Sequence, residues 1–222
     1  MALLAGLILA SLLIGYLAGG TPKHFEHLQL AWPGLAIAGL ALQLAPTPSL
    51  FGLTPDVIGP VMLVTSYVLL IAFAGANVRM PGFPIIVVGL VLNVAVIGAN
   101  GGMPVSGAAL ERSGSREELA ALQDRAGAKH HLMDPNDVLA PLADVISFGA
   151  PVNAVLSLGD LFAYGGVALM LISVMRGRMP RPVPRGYWGK HRPKTWRTTR
   201  FLPPTPARFG RPPAIARWGT GR

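Results

Sequence analysis

The sequence contains no cysteine, which excludes disulfide bonds, iron–sulfur clusters and cysteine-based zinc sites. Only histidine and carboxylate side chains remain as strong metal ligands. Charged residues are also scarce, at 13% of the 222 residues against 51% hydrophobic ones, and the mean hydropathy is +0.49. Because soluble domains carry about 25% charged residues, this composition is typical of a membrane protein.

Charged residues are absent from the interior of five apolar segments. Each segment approaches the roughly 20 residues that a helix needs to cross a bilayer. We therefore predict transmembrane helices at about residues 2–18, 30–45, 57–76, 84–99 and 158–175. No Lys or Arg precedes Lys23, which argues against a cleaved signal peptide in the first segment. If that segment were removed, four spans would remain in the same orientation.

Acidic residues are absent from the C-terminal tail, residues 176–222, which holds 13 Lys and Arg. Residues 1–175 hold six Lys and Arg and ten acids. The positive-inside rule places such a tail in the cytoplasm, and five spans then put the N-terminus outside. We expect the tail to bind anionic lipids or another membrane protein subunit, and not nucleic acid. Its candidate contact residues are Arg176, Arg178, Arg181, Arg185, Lys190, Arg192, Lys194, Arg197 and Arg200.

The fold class predicted by these features is an all-α polytopic membrane protein. Its transmembrane domain is residues 1–175, and the tail follows it. Between the fourth and fifth spans lies a polar loop, residues 100–157, which the topology places on the extracytoplasmic side. The stretch from Gly98 to Asp160 contains eight of the ten acidic residues, so we expect any functional site to lie there.

Two short amphipathic helices are predicted within the polar loop. Ser115 and Glu118 have the spacing of a capping box, which predicts a helix over about residues 116–126. Asp134 followed by Pro135 predicts a second helix start. Apolar residues at helical spacing follow this start and indicate a segment that lies flat on the membrane surface. These are Val138, Leu139, Leu142, Val145 and Ile146.

Histidines and carboxylates cluster in the same loop and form the candidate polar site. Imidazole and carboxylate groups suit metal binding or acid–base chemistry. The spacing is poor for a metal, because adjacent side chains on a helix point about 100° apart and two of the acids already suit a helix start. We therefore predict no metal and no cofactor, with a lipid or quinone as the candidate bound molecule. The candidate residues are His130, His131, Asp134, Asp137, Asp144 and Asp160.

Polar side chains are few within the spans, and none of the five histidines lies in the middle of a span. This excludes a transmembrane bis-histidine haem, and the lack of mid-span charge argues against a proton-coupled transporter. Asn93, central in the fourth span, either hydrogen-bonds a neighbouring helix or binds a lipid or quinone head group. Asn100, Gly101 and Gly102 form either a helix stop or a glycine-rich anion nest. These four residues are the candidate pocket.

The chain resembles a family of small bacterial multi-spanning proteins of unknown function in three motifs: GGMPVS (101–106), AKHHLMDPNDVLAPLADVI (128–146) and SLGDLFAYGG (157–166). The resemblance covers about residues 1–175 and excludes the tail. It implies a helical bundle in the bacterial cytoplasmic membrane, and it transfers no activity. The residues that carry it are Gly102, Pro104, His130, Asp144, Gly159 and Asp160.

Our first functional hypothesis is a non-catalytic bundle that binds a lipid or quinone, or serves as an accessory subunit of a larger membrane complex. The alternative is a membrane enzyme that acts on a lipid-linked substrate at the outer face. His130 or His131 would then be the base, and Asp134, Asp137 or Asp144 the orienting or metal-binding group. A transporter comes third, because the spans lack buried charge.

Overall fold

The computed structural model describes residues 2–47, 54–123 and 129–178, all of which belong to the first of two units, Met1–Pro182 and Val183–Arg222. The described helices are α1 (Ala2–Leu17), α2 (Pro33–Leu44), α3 (Pro55–Ala76), α4 (Phe83–Asn100), α5 (Gly107–Ser113), α6 (Arg116–Gln123) and α7 (Leu158–Met175). The described strands are β1 (Met103–Val105), β2 (His130–Leu132), β3 (Ile146–Phe148) and β4 (Ala154–Leu156). Two 3-10 turns, Pro22–His27 and Ala140–Leu142, are also present.

Three of the described helices are long and apolar enough to cross a membrane: Val57–Ala76 within α3, and the whole of α4 and α7. They agree with three of the predicted spans and indicate a membrane protein. α1 has 16 residues and α2 has 12, so helix length does not confirm the count of five spans. α2 begins only at Pro33, because Trp32 has a left-handed backbone with φ 52° and a residue before proline disfavours the helical region.

The apolar helices pack in the order α1, α7, α4, α3, α2, so that α7 lies between α1 and α4. At one end of the bundle, the Thr21 N–H after α1 donates to the Met175 carbonyl at the end of α7 (2.8 Å). At the same end, Gly82 ahead of α4 lies against Met170, and Asn77 after α3 binds the backbone of Ala31 ahead of α2. At the opposite end, the polar loop connects α4 to α7, its Lys129 binds the end of α2, and its apolar residues pack against Leu63 of α3.

Glycines form the contact between α4 and α7, which we call the glycine seam. Gly82 and Gly89 face Gly166 and Gly159, respectively, across this contact. A methyl group on Gly166 would lie 2.6 Å from Cγ1 of Ile86 and 2.7 Å from the Gly82 carbonyl oxygen. The two backbones therefore touch directly, as small residues allow between helices in a membrane.

The polar loop contains strands, so the prediction of an all-α fold is wrong in this part of the chain. β1 pairs in parallel with β2, and Met103 lies opposite His130. β3 and β4 form an antiparallel pair in which Ile146 lies opposite Leu156. Each strand has only three residues, which is too short for an alternating pattern to be recognised in the sequence.

The second helix predicted in the polar loop does not form. Leu139 has a left-handed backbone with φ 60°, and Ala140–Leu142 is a single 3-10 turn. Pro141 removes a helical hydrogen bond and clashes with the preceding turn. In addition, the Asn100 side chain accepts the N–H of Val138 (2.8 Å). The segment predicted to lie on the membrane surface is therefore irregular chain that leads into β3.

The first helix predicted in the loop is present as α6, and its predicted end lies in residues 124–128, outside the described residues. The predicted capping box does not form at its start, because the Ser115 hydroxyl instead donates to the Asn153 carbonyl (2.9 Å) and accepts from the Ser113 hydroxyl (2.9 Å). An unpredicted helix, α5, precedes it. The Ser106 side chain caps the start of α5, and Gly114 ends it with a left-handed φ of 79°.

The polar loop packs onto the ends of α3 and α4 through an apolar cluster. Met103 of β1 and Ala143, both buried, contact Leu63 of α3 and Val96 and Ile97 of α4. Removal of this apolar surface from water holds the loop against the helices. The loop therefore covers one end of the bundle.

Candidate functional site

β1 is the strand that positions the polar residues of the loop. It is buried along its whole length and has neighbours on both sides. On one side lies β2, which carries His130 and His131. On the other side, the Asp144 N–H donates to the Pro104 carbonyl (3.1 Å) and the Ser106 N–H donates to the Asp144 carbonyl (2.9 Å). β1 thereby holds two histidines on one of its sides and an aspartate on the other.

Asn93 is the centre of a hydrogen-bond network between three helices. Its amide nitrogen donates to Oη of Tyr67 in α3 (3.1 Å) and to Oδ1 of Asp160 in α7 (2.7 Å). Its amide oxygen accepts from the Ser157 hydroxyl (2.9 Å). Asn93 is 1% exposed, so water does not compete for these groups. We predicted that Asn93 either hydrogen-bonds a neighbouring helix or binds a head group, and the structure contains the first of these contacts.

Asp160 has a structural role at the start of α7. The Ser157 hydroxyl accepts from the Asp160 N–H (2.9 Å), and Oδ2 of Asp160 accepts from the Ser157 N–H (3.1 Å). This reciprocal pair is a capping box, and it begins α7 at the residue where the fifth predicted span starts. Each carboxylate oxygen of Asp160 thus accepts one hydrogen bond, from Asn93 or from Ser157.

Asp144 is buried, with 8% of its surface exposed, and its Oδ1 has no hydrogen-bond partner among the described residues. The adjacent Ala143 belongs to an apolar cluster against which Tyr67 of α3 packs, and the Tyr67 hydroxyl accepts from Asn93, so Asp144 lies beside the Asn93 network. Burial, reinforced by the negative charges of Asp160 and Glu118, raises the pKa of Asp144 well above its ordinary value. Asp144 therefore keeps its proton to a higher pH than an exposed carboxyl group does.

The structure separates the two neighbouring histidines. His130 lies within electrostatic range of Asp160, and burial lowers the pKa of His130, which favours the neutral imidazole. Nε2 of His131 instead pairs with Asp137, 3.0 Å from Oδ1 and 3.2 Å from Oδ2, and its ring packs against Gly102. Successive residues of a strand point to opposite faces, so the two imidazoles do not serve one site.

Asp134 and Asp137 stabilise the turn that follows β2. Oδ1 of Asp134 accepts from the Asn136 N–H (2.6 Å), and Oδ2 of Asp137 accepts from the Asp134 N–H (2.8 Å). The bond between Asp137 and His131 then ties this turn to β2. These carboxylates hold the backbone of the loop, although not as the helix cap predicted for them.

The six predicted site residues therefore divide into two groups of three. The turn cluster comprises His131, Asp134 and Asp137. The other group, which we call the acid site, comprises His130, Asp144 and Asp160. Among the described residues, no three His, Asp or Glu side chains are arranged to hold a metal ion.

Of the four predicted pocket residues, only Asn93 lies at the acid site. Asn100 exchanges two hydrogen bonds with the backbone of Val138 (2.9 and 2.8 Å), which fixes the loop to the end of α4. Gly101 ends α4 with a left-handed φ of 67°, and Gly102 packs against His131. Asn77 at the end of α3 exchanges the same two bonds with Ala31 (2.8 and 3.0 Å). Each asparagine thus joins a distant segment to a helix end, a role that the sequence did not indicate.

Comparison with known proteins identifies one family, and the matched residues contain most of the elements described above. The model described as "Family of unknown function (DUF5317)" matches residues 27–172. The chain belongs to this family. The DUF5317 match includes the whole polar loop, the glycine seam and the acid site, and α1 and the tail lie outside it. The match confirms the prediction that the chain belongs to a family of unknown function. No curated protein and no solved structure matches the chain.

Lys129, which lies inside the DUF5317 match, has a role that sequence analysis missed. Its ammonium group donates to three backbone carbonyls at the end of α2: Leu42 (2.7 Å), Gln43 (2.8 Å) and Ala45 (2.7 Å). The last carbonyls of a helix lack helical partners and carry partial negative charge. Loss of water around the ammonium lowers the pKa of Lys129. The contact fastens the polar loop to α2.

We expect Lys129→Met to loosen the polar loop, because methionine keeps much of the side-chain length and loses all three donors. The cost is about 1–3 kcal/mol of loop attachment. Limited proteolysis of the purified protein in detergent measures it, as faster cleavage within the loop. The matched control is Lys23→Met, which removes an exposed lysine. Equal cleavage rates for the two variants would contradict the fastening role.

All of the tail residues predicted to bind lipid or a partner lie beyond the DUF5317 match, and most of them lie outside the described residues. Arg176 and Arg178 are described, and both are exposed after the end of α7. The others lie outside the described residues: Arg181, Arg185, Lys190, Arg192, Lys194, Arg197 and Arg200.

Proposed function

We propose that the protein is a non-catalytic integral membrane protein of the bacterial cytoplasmic membrane, which binds a lipid or quinone or serves as an accessory subunit of a larger membrane complex. The observation that carries this proposal is the Asn93 network. Polar groups inside a membrane bundle mark a transport path when they face a cavity. Here Asn93, Tyr67, Ser157 and Asp160 bind one another across three helices, which supports a scaffold.

In this proposal all five apolar helices cross the membrane, with the N-terminus outside and the tail in the cytoplasm. Large apolar side chains on the two short helices support it, because Leu9, Leu17, Ile37 and Leu44 are between 67% and 75% exposed. A lipid environment suits such surfaces. α2 covers only about 18 Å, and the last carbonyls of a short helix need partners where water is scarce. The Lys129 ammonium supplies them at the end of α2.

Native mass spectrometry of the protein extracted from its own membranes in a mild detergent tests the proposal. We expect the chain to carry either additional protein subunits or a stoichiometric lipid or quinone adduct. Washing the membranes with alkaline carbonate first provides the control, since an integral protein stays with the membrane. A chain that carries neither subunit nor adduct would contradict the proposed function.

A membrane enzyme that acts on a lipid-linked substrate is the second candidate, and one observation favours it. His130 is kept neutral by burial and lies within range of Asp160, and a neutral imidazole near a carboxylate can accept a proton. His131 has no part in this version, because Asp137 holds it. His130→Ala distinguishes the two candidates. Unchanged folding and assembly with lost turnover favours the enzyme, whereas lost assembly favours the scaffold.

A further inference from the structure

The fold buries Asp144 without giving its Oδ1 a hydrogen-bond partner among the described residues. A buried polar atom costs free energy unless a hydrogen-bond partner satisfies it, whether or not the carboxyl group is protonated. We propose that Asp144 and Asp160 bind the primary ammonium group of a ligand beneath the polar loop. This assignment rests on the proposed function and names the chemistry of the molecule that the bundle binds.

The charge at the acid site favours a cation. The carboxylates of Asp160 and Glu118 both act on Asp144, so the local potential is negative. The basic groups nearby do not offset it. The Lys129 ammonium is bound to three carbonyls of α2, and burial favours the neutral form of His130. An anionic phosphate group would be repelled here, whereas a positively charged group is attracted.

The free acceptor positions of Asp144 and Asp160 indicate that the cation is an ammonium group. The two carboxylate oxygens of Asp160 accept one hydrogen bond each, from Asn93 and Ser157, and a carboxylate oxygen can accept two. Oδ1 of Asp144 is wholly free within the described residues. A primary ammonium has three N–H donors and no fixed coordination geometry, so it can use these remaining positions. A metal ion requires more ligands than the described residues provide.

The ammonium group can belong to the head group of an aminophospholipid or to a free amine. Both present the same donors and the same charge to the two carboxyl groups. The site is covered by the polar loop, which is fastened to the bundle through Lys129 and Asn100. Either source would therefore be bound between this loop and the ends of α3, α4 and α7.

Isothermal titration calorimetry on the full-length protein in detergent tests the assignment with three probes. These are dihexanoyl phosphatidylethanolamine, dihexanoyl phosphatidylcholine and ethylamine. We expect the ethanolamine lipid to bind and the choline lipid not to bind, because a quaternary ammonium has no N–H donor. Equal affinity for the two lipids would overturn the assignment. Binding of ethylamine as tight as that of the ethanolamine lipid identifies a free amine as the source, and weaker binding identifies the lipid.

Asp144→Asn should weaken binding of the preferred probe roughly thirtyfold or more, because an uncharged amide replaces a buried partner of the ammonium. The amide has the shape of a protonated carboxyl group, so the fold should be kept. Asp134→Asn makes the same charge change at an exposed position of the same loop and should bind as the unmodified protein does. Unchanged affinity in Asp144→Asn would overturn the assignment.

Proton release provides a second readout that needs no variant. Asp144 holds a proton in the free site, because burial and the carboxylates of Asp160 and Glu118 raise its pKa. The other titratable groups that interact with its charge are the phenols of Tyr67 and Tyr164, and burial favours the neutral form of His130. An ammonium ligand displaces the proton, so apparent affinity should rise with pH. Titrations in two buffers of different ionisation enthalpy measure this release.

The experiments distinguish a failure of the ammonium site from a failure of the proposed function. Absence of proton release or of amine binding rejects the ammonium site and leaves the proposed scaffold function in place, provided that the native chain still carries a subunit or an adduct. A native chain without either one rejects the proposed function itself, whatever the probes show.

Discussion

Replacement of Gly159 by alanine is expected to prevent the folded protein from accumulating. The added methyl group would overlap the amide oxygen of Asn93 and would lie 2.6 Å from the Gly89 carbonyl oxygen. Neither neighbour can give way, because one is helix backbone and the other is fixed by hydrogen bonds to three residues. Overpacking costs about 1–3 kcal/mol where neighbours can adjust, so we expect a larger loss here.

Gly165→Ala is the matched control for this prediction. Gly165 lies in the same helix, and a methyl group there meets no heavy atom within 4 Å. Alanine in place of a helical glycine is otherwise stabilising by about 0.5–1 kcal/mol. The yield of monodisperse protein in detergent and its melting temperature should therefore fall for Gly159→Ala and hold or rise for Gly165→Ala. Equal yields and melting temperatures would mean that the two backbones do not touch.

The parts of the fold that sequence predicts are those determined by neighbouring residues. The long apolar segments identify α3, α4 and α7, because hydropathy is a local property. The start of α7 follows from Ser157 and Asp160, which lie three positions apart and cap one turn. The start of α2 lies three residues after its predicted position at residue 30, because Pro33 follows Trp32 directly and a residue before proline resists the helical conformation.

The glycine seam could not be predicted, because it depends on which helices become neighbours. Gly82 and Gly89 are seven residues apart, and so are Gly159 and Gly166, a spacing that places each pair on one helix face. The sequence does not state that α7 inserts between α1 and α4. Unless the neighbours of each helix are known, the two glycine pairs do not indicate that α4 and α7 are in contact.

The sequence predicts the three residues of the acid site as candidates, and it does not predict how they are arranged. His130 and His131 were grouped because they are adjacent, and a helix or turn would have kept them near each other. β2 separates them onto opposite faces, and β2 exists only because β1 lies beside it. Asp144 joins the site through the same strand. Such pairing between distant segments has no local sequence signal, since each strand is three residues long.

Asn93→Leu is expected to separate α3, α4 and α7 at the level of the acid site. Leucine is similar in size and removes three hydrogen bonds, those to Tyr67, Asp160 and Ser157. Each buried partner left unsatisfied costs about 1–3 kcal/mol, and the carboxylate of Asp160 lies at the upper end of this range. The free energy of unfolding in detergent should therefore fall by at least about 3 kcal/mol, as measured by denaturant titration with circular dichroism.

Ser66→Ala tests whether this loss comes from the network or merely from removing a buried polar group. Ser66 is 0% exposed in α3, and its hydroxyl has no hydrogen-bond partner among the described residues. Its removal should leave stability unchanged or raise it, because a buried hydroxyl without a partner is unfavourable. A comparable loss in both variants would show that polarity alone matters. A loss confined to Asn93→Leu means that mutual pairing of polar groups holds the three helices together, and the same variant should then lose amine binding as Asp160 shifts.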